Sequence, residues 1–196
     1  MKNQAHKVVS NSMFLYGKLL LSAILTLYST RVLLSALGIA DFGIYNLIAG
    51  VILMLVFLNG AMTITTQRYL SFHLGAGDGD VLKRIFNTSV SIHFLISIVV
   101  VVALELLGFW LLNGFLNIPK SKIEDASYCY HMMALSTFFT INAVPYDALI
   151  NAKEDMRFDA VVGMCETLLK FFAACAVVLF TSHKLVYYSG AIVLIT

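Results

Sequence analysis

The sequence predicts an all-α, polytopic membrane helix bundle, and three observations carry that prediction. The chain is 60% hydrophobic and only 12% charged, where a soluble domain has about 25% charged residues. Its mean hydropathy is +0.87. Apolar runs of spanning length follow one another with only short polar connections between them. A helix needs about 20 mostly apolar residues to cross a bilayer, and residues 13–37, 44–67, 88–112, 127–150 and 161–180 each supply them. A sixth run, 186–196, reaches only half that length and reads as a truncated helix.

Several function classes drop out at this stage. The net charge of +2 is small and the basic residues are dispersed, which argues against a nucleic-acid partner. Cys129, Cys165 and Cys175 all lie in apolar segments without a CxxC pair, so they read as small buried hydrophobes and no metal site is expected. GAGDGD at 75–80 lacks the GK[ST] ending of a phosphate loop and the glutamate of a calcium loop, so it reads as a solvated connector. No HExxH, no GxSxG and no DxxD pair on a membrane-facing helix occurs. We expect neither an enzyme nor a cofactor. The N-terminal run is too long for a signal peptide and is interrupted by Lys18, so it reads as an uncleaved first span.

Alternating the spans sorts the connections into two sets. One holds Lys2, Lys7, Arg68, Lys83, Arg84, Lys153 and Arg157, the other only Lys120, Lys122 and Lys184. The positive-inside rule then puts the first set, and the N-terminus, in the cytoplasm.

Each span has a polar or small-residue face. In the first, Lys18, Ser22, Thr26 and Ser29 fall within about 80° of one another, while Tyr28, Arg31 and Ser35 form a face roughly 145° away. Arg31 lies about a turn and a half from the outer end, where its stem can snorkel to the interface. The second span carries Asn59, Thr63 and Thr66, leading to Gln67 and Arg68. The third has an inner stripe of Ser89, His93 and Ser97, and a Glu105 that must pair across helices or be protonated. In the fourth, Cys129, Met132, Ser136, Thr140 and Asp147 line up, with Pro145 offering a kink or hinge. Asp147 reads equally as an interfacial carboxylate or a proton site. The fifth aligns Asp159, Gly163, Glu166, Lys170, Ala173, Ala174 and Val177. Glu166 and Lys170 are i,i+4 in the favourable order, either a packing pair or part of a pathway. A mere anchor needs no such faces; a bundle around a hydrated, partly charged cavity does.

The blocks TRVLLSALGIADFGIYNLIAGV (30–51), FLNGAMTITTQRYLSFHLGAGD (57–78) and KRIFNTS (83–89) resemble the N-terminal region of bacterial polysaccharide flippases. That family belongs to the superfamily that also holds MATE-type multidrug exporters and the lipid II flippase. The resemblance covers about residues 10–90 closely and the rest more loosely. It implies twelve to fourteen helices in two six-helix bundles that rock against each other. This chain would then be the N-terminal half, its sixth helix cut and its C-terminal bundle absent. It implies as substrate an undecaprenyl-diphosphate-linked oligosaccharide, crossing the bacterial inner membrane for O-antigen, capsule or exopolysaccharide assembly. Membrane lipids, the missing bundle and the polysaccharide polymerase machinery are the partners it suggests.

By the same resemblance Arg31, in the matching TRVLL position, meets the diphosphate in a water-filled cleft. Lys18 and Arg68 are further candidates. An arginine fork suits phosphate oxygens and keeps its charge at any cellular pH. Glu166 with Lys170, or Asp147, would couple transport to an ion or form a cavity ion pair. A MATE-like exporter of amphiphilic cations is the alternative, and its cavity should be acidic rather than arginine-lined. A non-transporting membrane fragment or scaffold is the third reading.

Overall fold

In lipid, backbone polar groups must be satisfied within the chain, so apolar runs of this length form helices. The computed structural model describes residues 2–54, 56–116 and 118–196, with the backbone alone at 2–10, 56, 57, 113 and 115. The side chains of Lys2 and Lys7, placed in the cytoplasmic set, lie outside what is described. The helices are α1 (Lys2–Leu53), α2 (Val56–Ala76), α3 (Gly79–Trp110), α4 (Ile123–Ala152), α5 (Met156–Val177) and α6 (Lys184–Ile195). A π turn, Leu111–Phe115, and a 3-10 turn, Lys120–Lys122, join α3 to α4. No strand occurs among the described residues.

Four stretches are long and apolar enough to cross a membrane: Asn11–Ala76, Gly79–Trp110, Lys120–Ala152 and Met156–Val177. Five were expected from the sequence, and the difference lies in the first. Its 66 residues would run about 99 Å if straight, some three hydrocarbon cores. It is folded instead. Gly38 sits at φ 78°, ψ 171°, a region that is essentially glycine-only. Leu33, Ala36 and Leu37 before it and Ile44 and Ile48 after it join one buried cluster. The first limb of α1 thus stops at Gly38. The expected second span, 44–67, is divided between the limb ending at Leu53 and α2 beginning at Val56. No glycine or proline marks that break, so nothing local signalled it.

The other helices outrun their predicted spans because hydropathy sees only the apolar part of a helix. The polar turns of α3, Gly79 to Asn87, are helical although they precede the predicted start at 88. α4 continues past the fully buried Pro145. The 75–80 connector is a tight turn in which Gly77 takes φ 76°.

Polar contacts gather the connections into two ends, as alternation of the spans requires. At one end Lys184 Nζ donates to the Ala36 carbonyl at 3.0 Å, satisfying an acceptor freed where the first limb stops. Asp41 opens the second limb, where a negative charge complements the helix dipole, and pairs with Lys122 at 2.9 Å. His183 meets Asp125 at 2.8 Å. At the other end Asn11 donates to the Glu154 carbonyl, and the Arg157 guanidinium lies 5.5 Å from the Phe14 ring centre. There too Leu70, Ala148 and Ala152 form a second small core with Leu82, Ile85 and Phe86.

α4 is the central post, packed against each of the other α-helices. Its core face is Ala126, Tyr130, Met133, Thr137, Ile141, Val144 and Ala148 together with Cys129. This corrects the predicted stripe: Met132, Ser136 and Thr140 are half-buried and Asp147 is exposed. A Cβ on Gly108 would collide with the Tyr130 ring, so that glycine admits the ring. The Tyr130 hydroxyl then donates to the Leu104 carbonyl at 2.6 Å. Of the cysteines only Cys129 is buried; Cys165 is exposed and Cys175 intermediate. Glu105 pairs across helices with His131 at 2.7 Å, one of the two fates open to it.

Gly38 generates a direct expectation. Gly38→Val should destabilise the fold by about 1–3 kcal/mol, the cost of forcing a β-branched residue into that region. Gly43→Ala, in a helical position with open space around it, should be neutral or stabilising. Thermal melts of both variants in detergent, against the parent, check this.

Candidate functional site

The polar stripe of α1 and the small-residue stripe of α5 face each other. Small residues let two helices approach closely, and α1 and α5 form the most extensive helix pair in the molecule. Gly163 shows why the small residue is needed. A Cβ there would strike Lys18 Cε and Nζ, so the lysine stem occupies the space a side chain would fill. Lys18 Nζ reaches Asp159 Oδ2 at 2.8 Å. One turn on, Thr167 donates to the Gly163 carbonyl at 2.8 Å, so in its 3.2 Å contact with Ser22 the serine is the donor. A further turn on, Lys170 Nζ meets Glu166 Oε1 at 2.5 Å.

All of these groups but Asp159, which stands beside it, line a cleft of about 400 Å³ between α1, α5 and α6. Thr26 and Ser29 of the α1 stripe lie in its wall, with Tyr45 and Asn46 from the second limb and Tyr188 from α6. Tyr45 and Tyr188 meet edge to face at 5.1 Å. Asp147 of α4 lies within electrostatic reach of Asp159, Glu166 and Lys18. The cleft region thus holds three carboxylates against two ammonium groups. Chemically it can hold a cation between carboxylates, or release two ammoniums to an anion when the carboxylates take up protons.

Of the residues singled out from the sequence, Lys18, Glu166 and Lys170 line this cleft and Asp147 lies beside it. Arg31 does not. It is exposed on the far side of α1, since thirteen residues at 100° place it on the other face from Lys18. Its neighbour Tyr28 packs against Phe171. Arg31 thus lies outside this cleft, on the separate face that the helical spacing gave it. Arg68 is exposed near the end of α2. Neither arginine enters an ion pair among the described residues.

The sequence left some partners unseen. Asp159 stood in the α5 stripe without an assigned role, and its pairing across 141 positions had no local signal. Tyr45, Asn46 and Tyr188 were missed because the fold back at Gly38 brings the first two inward. Asn142 donates to Ser97 Oγ at 2.9 Å, a bond between α4 and α3.

A many-helix membrane protein with a polar, charged cleft among its helices has the build of a membrane transporter. This chain belongs to the MatE family: the family's model matches residues 13–187. It is accordingly a membrane transporter of the MATE superfamily, whose members are transporters and not enzymes. No curated protein and no solved structure matches the chain.

The Lys18–Asp159 pair is half-buried, and removing one member leaves the other without its partner. Lys18→Met and Asp159→Asn should each lower the melting temperature in detergent, and the double variant should recover part of the loss. Equal, additive losses would show that the two side chains do not interact.

Proposed function

We propose that this chain forms part of an exporter that carries undecaprenyl-diphosphate-linked oligosaccharide units across the bacterial inner membrane for surface polysaccharide assembly. The reading rests first on the blocks at 30–51, 57–78 and 83–89, which resemble polysaccharide flippases within the superfamily. The structural observation that carries it is the pair of lysines in one cleft, each held by its own carboxylate. Empty, the cleft keeps Lys18 on Asp159 and Lys170 on Glu166. A diphosphate competes for both ammoniums with charge-assisted hydrogen bonds. Proton uptake by Asp159, Glu166 or Asp147 lowers the competition for those lysines and couples loading to protons. In this scheme Arg68 sits at the cytoplasmic mouth with the N-terminus inside, and Arg31 acts from the opposite face of α1, toward the second bundle of the complete carrier. An anion leaving a negative interior also gains about 2.3 kcal/mol per charge per 100 mV.

One observation favours a second reading. No arginine lines the cleft, and its region carries three carboxylates against two lysines. That balance suits an amphiphilic cation, the substrate of a MATE-like multidrug exporter.

A thermal-shift titration separates the two. With the flippase reading, farnesyl diphosphate raises the melting temperature of the detergent-solubilised protein, and Lys18→Met with Lys170→Met abolishes the shift. With the second, ethidium gives the shift and Glu166→Gln abolishes it. In cells, Arg31→Ala in the complete transporter should reduce surface polysaccharide at unchanged protein level. Full export by that variant would remove Arg31 from the pathway.

A further inference from the structure

A second cavity lies on the other side of α4. α2 and α3 are joined by the tight turn at Gly77, and each packs against α4 more extensively than against the other. The splay between them leaves a groove of about 530 Å³, within the range of small-molecule sites. Its walls are chiefly apolar, with Ala61, Met62, Ile85, Ile92 and Ile96 among them. From Arg84 at one end to Ile96 at the other is twelve residues of α3, about 18 Å of rise. One leaflet of the hydrocarbon core is about 15 Å deep. The groove therefore runs from the interface to the middle of the bilayer, long and narrow enough for one hydrocarbon chain.

Two polar features say what such a chain carries. Arg84 lines the interfacial end and enters no ion pair among the described residues. Lys83 and Arg68 belong to the same end of the bundle, as do Asp78 and Asp80 of the connecting turn, so of these charges it is Arg84 that lies in the groove wall itself. Deeper in, His93 is 5% exposed and lines the groove. Its Nδ1 lies 2.7 Å from the Ser89 carbonyl. A carbonyl only accepts, so Nδ1 carries the proton in that bond, and Nε2 is the ring's other hydrogen-bonding atom. That atom is buried without a partner, a state that costs free energy until a donor arrives. The bond to Ser89 draws the ring back toward the level of that residue, five positions from Arg84 and about 7.5 Å of rise.

An anionic group at Arg84, a hydroxyl a short way below it and a single chain beyond describe one class of molecule. We propose that the α2–α3 groove binds an anionic lysophospholipid. Its phosphate meets Arg84, its free glycerol hydroxyl donates to His93 Nε2, and its one acyl chain lies between Met62, Ile92 and Ile96. A diacyl lipid would have to leave its second chain outside, and a polyprenyl phosphate has no hydroxyl for His93. The site does not depend on what the α1–α5 cleft carries.

Native mass spectrometry of the purified chain tests this, with lysophosphatidylglycerol, lysophosphatidylcholine, phosphatidylglycerol and farnesyl phosphate each added at equal concentration. One lysophosphatidylglycerol should be retained, about tenfold more tightly than its net-neutral choline counterpart, whose phosphate is the same but whose quaternary ammonium is held close to the Arg84 guanidinium and repelled by it. Arg84→Gln should remove that preference. His93→Phe should weaken both lysolipids alike. Ala61→Trp, which fills the groove from an exposed position, should abolish retention at an unchanged melting temperature; Ile92→Trp repeats the test from the facing helix should the first variant fail to fold. Retention undiminished by a folded groove-filling variant overturns the proposal, as does preferential retention of phosphatidylglycerol or farnesyl phosphate.

Discussion

An ammonium group in the hydrocarbon layer has to be answered by another charge, and the answer Lys18 finds fixes how the first and fifth helices meet. Its stem fits only because position 163 is glycine, and its head is held by Asp159 one turn away. Once that contact exists, the register of α1 on α5 is set. Ser22 then falls opposite Thr167, and Glu166 and Lys170 come to face the same cleft two turns further along. A purely apolar interface could slide by a turn at little cost. A charged knob in a glycine notch cannot.

The second constraint is the reversal at Gly38. An uninterrupted helix through this region would carry Tyr45 and Asn46 away from the bundle. The glycine's backbone geometry turns them back into the cleft and gathers three connections at one end. The ions at that corner act on helix ends rather than on side chains alone: Lys184 caps the Ala36 carbonyl and Asp41 sits at the start of a limb. A helix end left unsatisfied inside a membrane protein would cost more than any of the surrounding packing could offset.

Helicity and the presence of several helices apolar enough to cross a membrane were legible because hydropathy and turn chemistry are local signals. So was the pairing of Glu166 with Lys170, four residues apart on one helix. The face of α1 bearing Lys18 and the face of α5 bearing Gly163 were also legible as separate stripes, though nothing in either says that they meet. What the sequence hid was of three kinds. The break between Leu53 and Val56 has no breaker residue. The buried face of α4 is set by which neighbours surround it, so a polar stripe was a poor guide to its inside. Arg31 drew attention by its chemistry and its motif, yet helical geometry alone put it on the face away from Lys18. The resemblance assigned it a task that this cleft does not give it.

The two cavities are walled by different helices and differ in kind. The cleft between α1 and α5 is bounded by helices locked in register by ions, and its polar groups are nearly all paired. The groove between α2 and α3 has no such lock: its helices meet each other sparsely, and a buried imidazole nitrogen is left open. A transporter has to change the access of one compartment while keeping the other elements intact. The α1–α5 pair can do so by exchanging partners among charges already in place. The α2–α3 pair can widen or narrow where Thr66 of α2 meets Ser89 of α3 at 3.5 Å, an exchangeable hydrogen bond, while Leu70, Ile85 and Phe86 keep both helices packed on α4. Motion in this bundle is therefore expected first between α2 and α3, which meet each other sparsely, with α1 and α5 travelling as one piece.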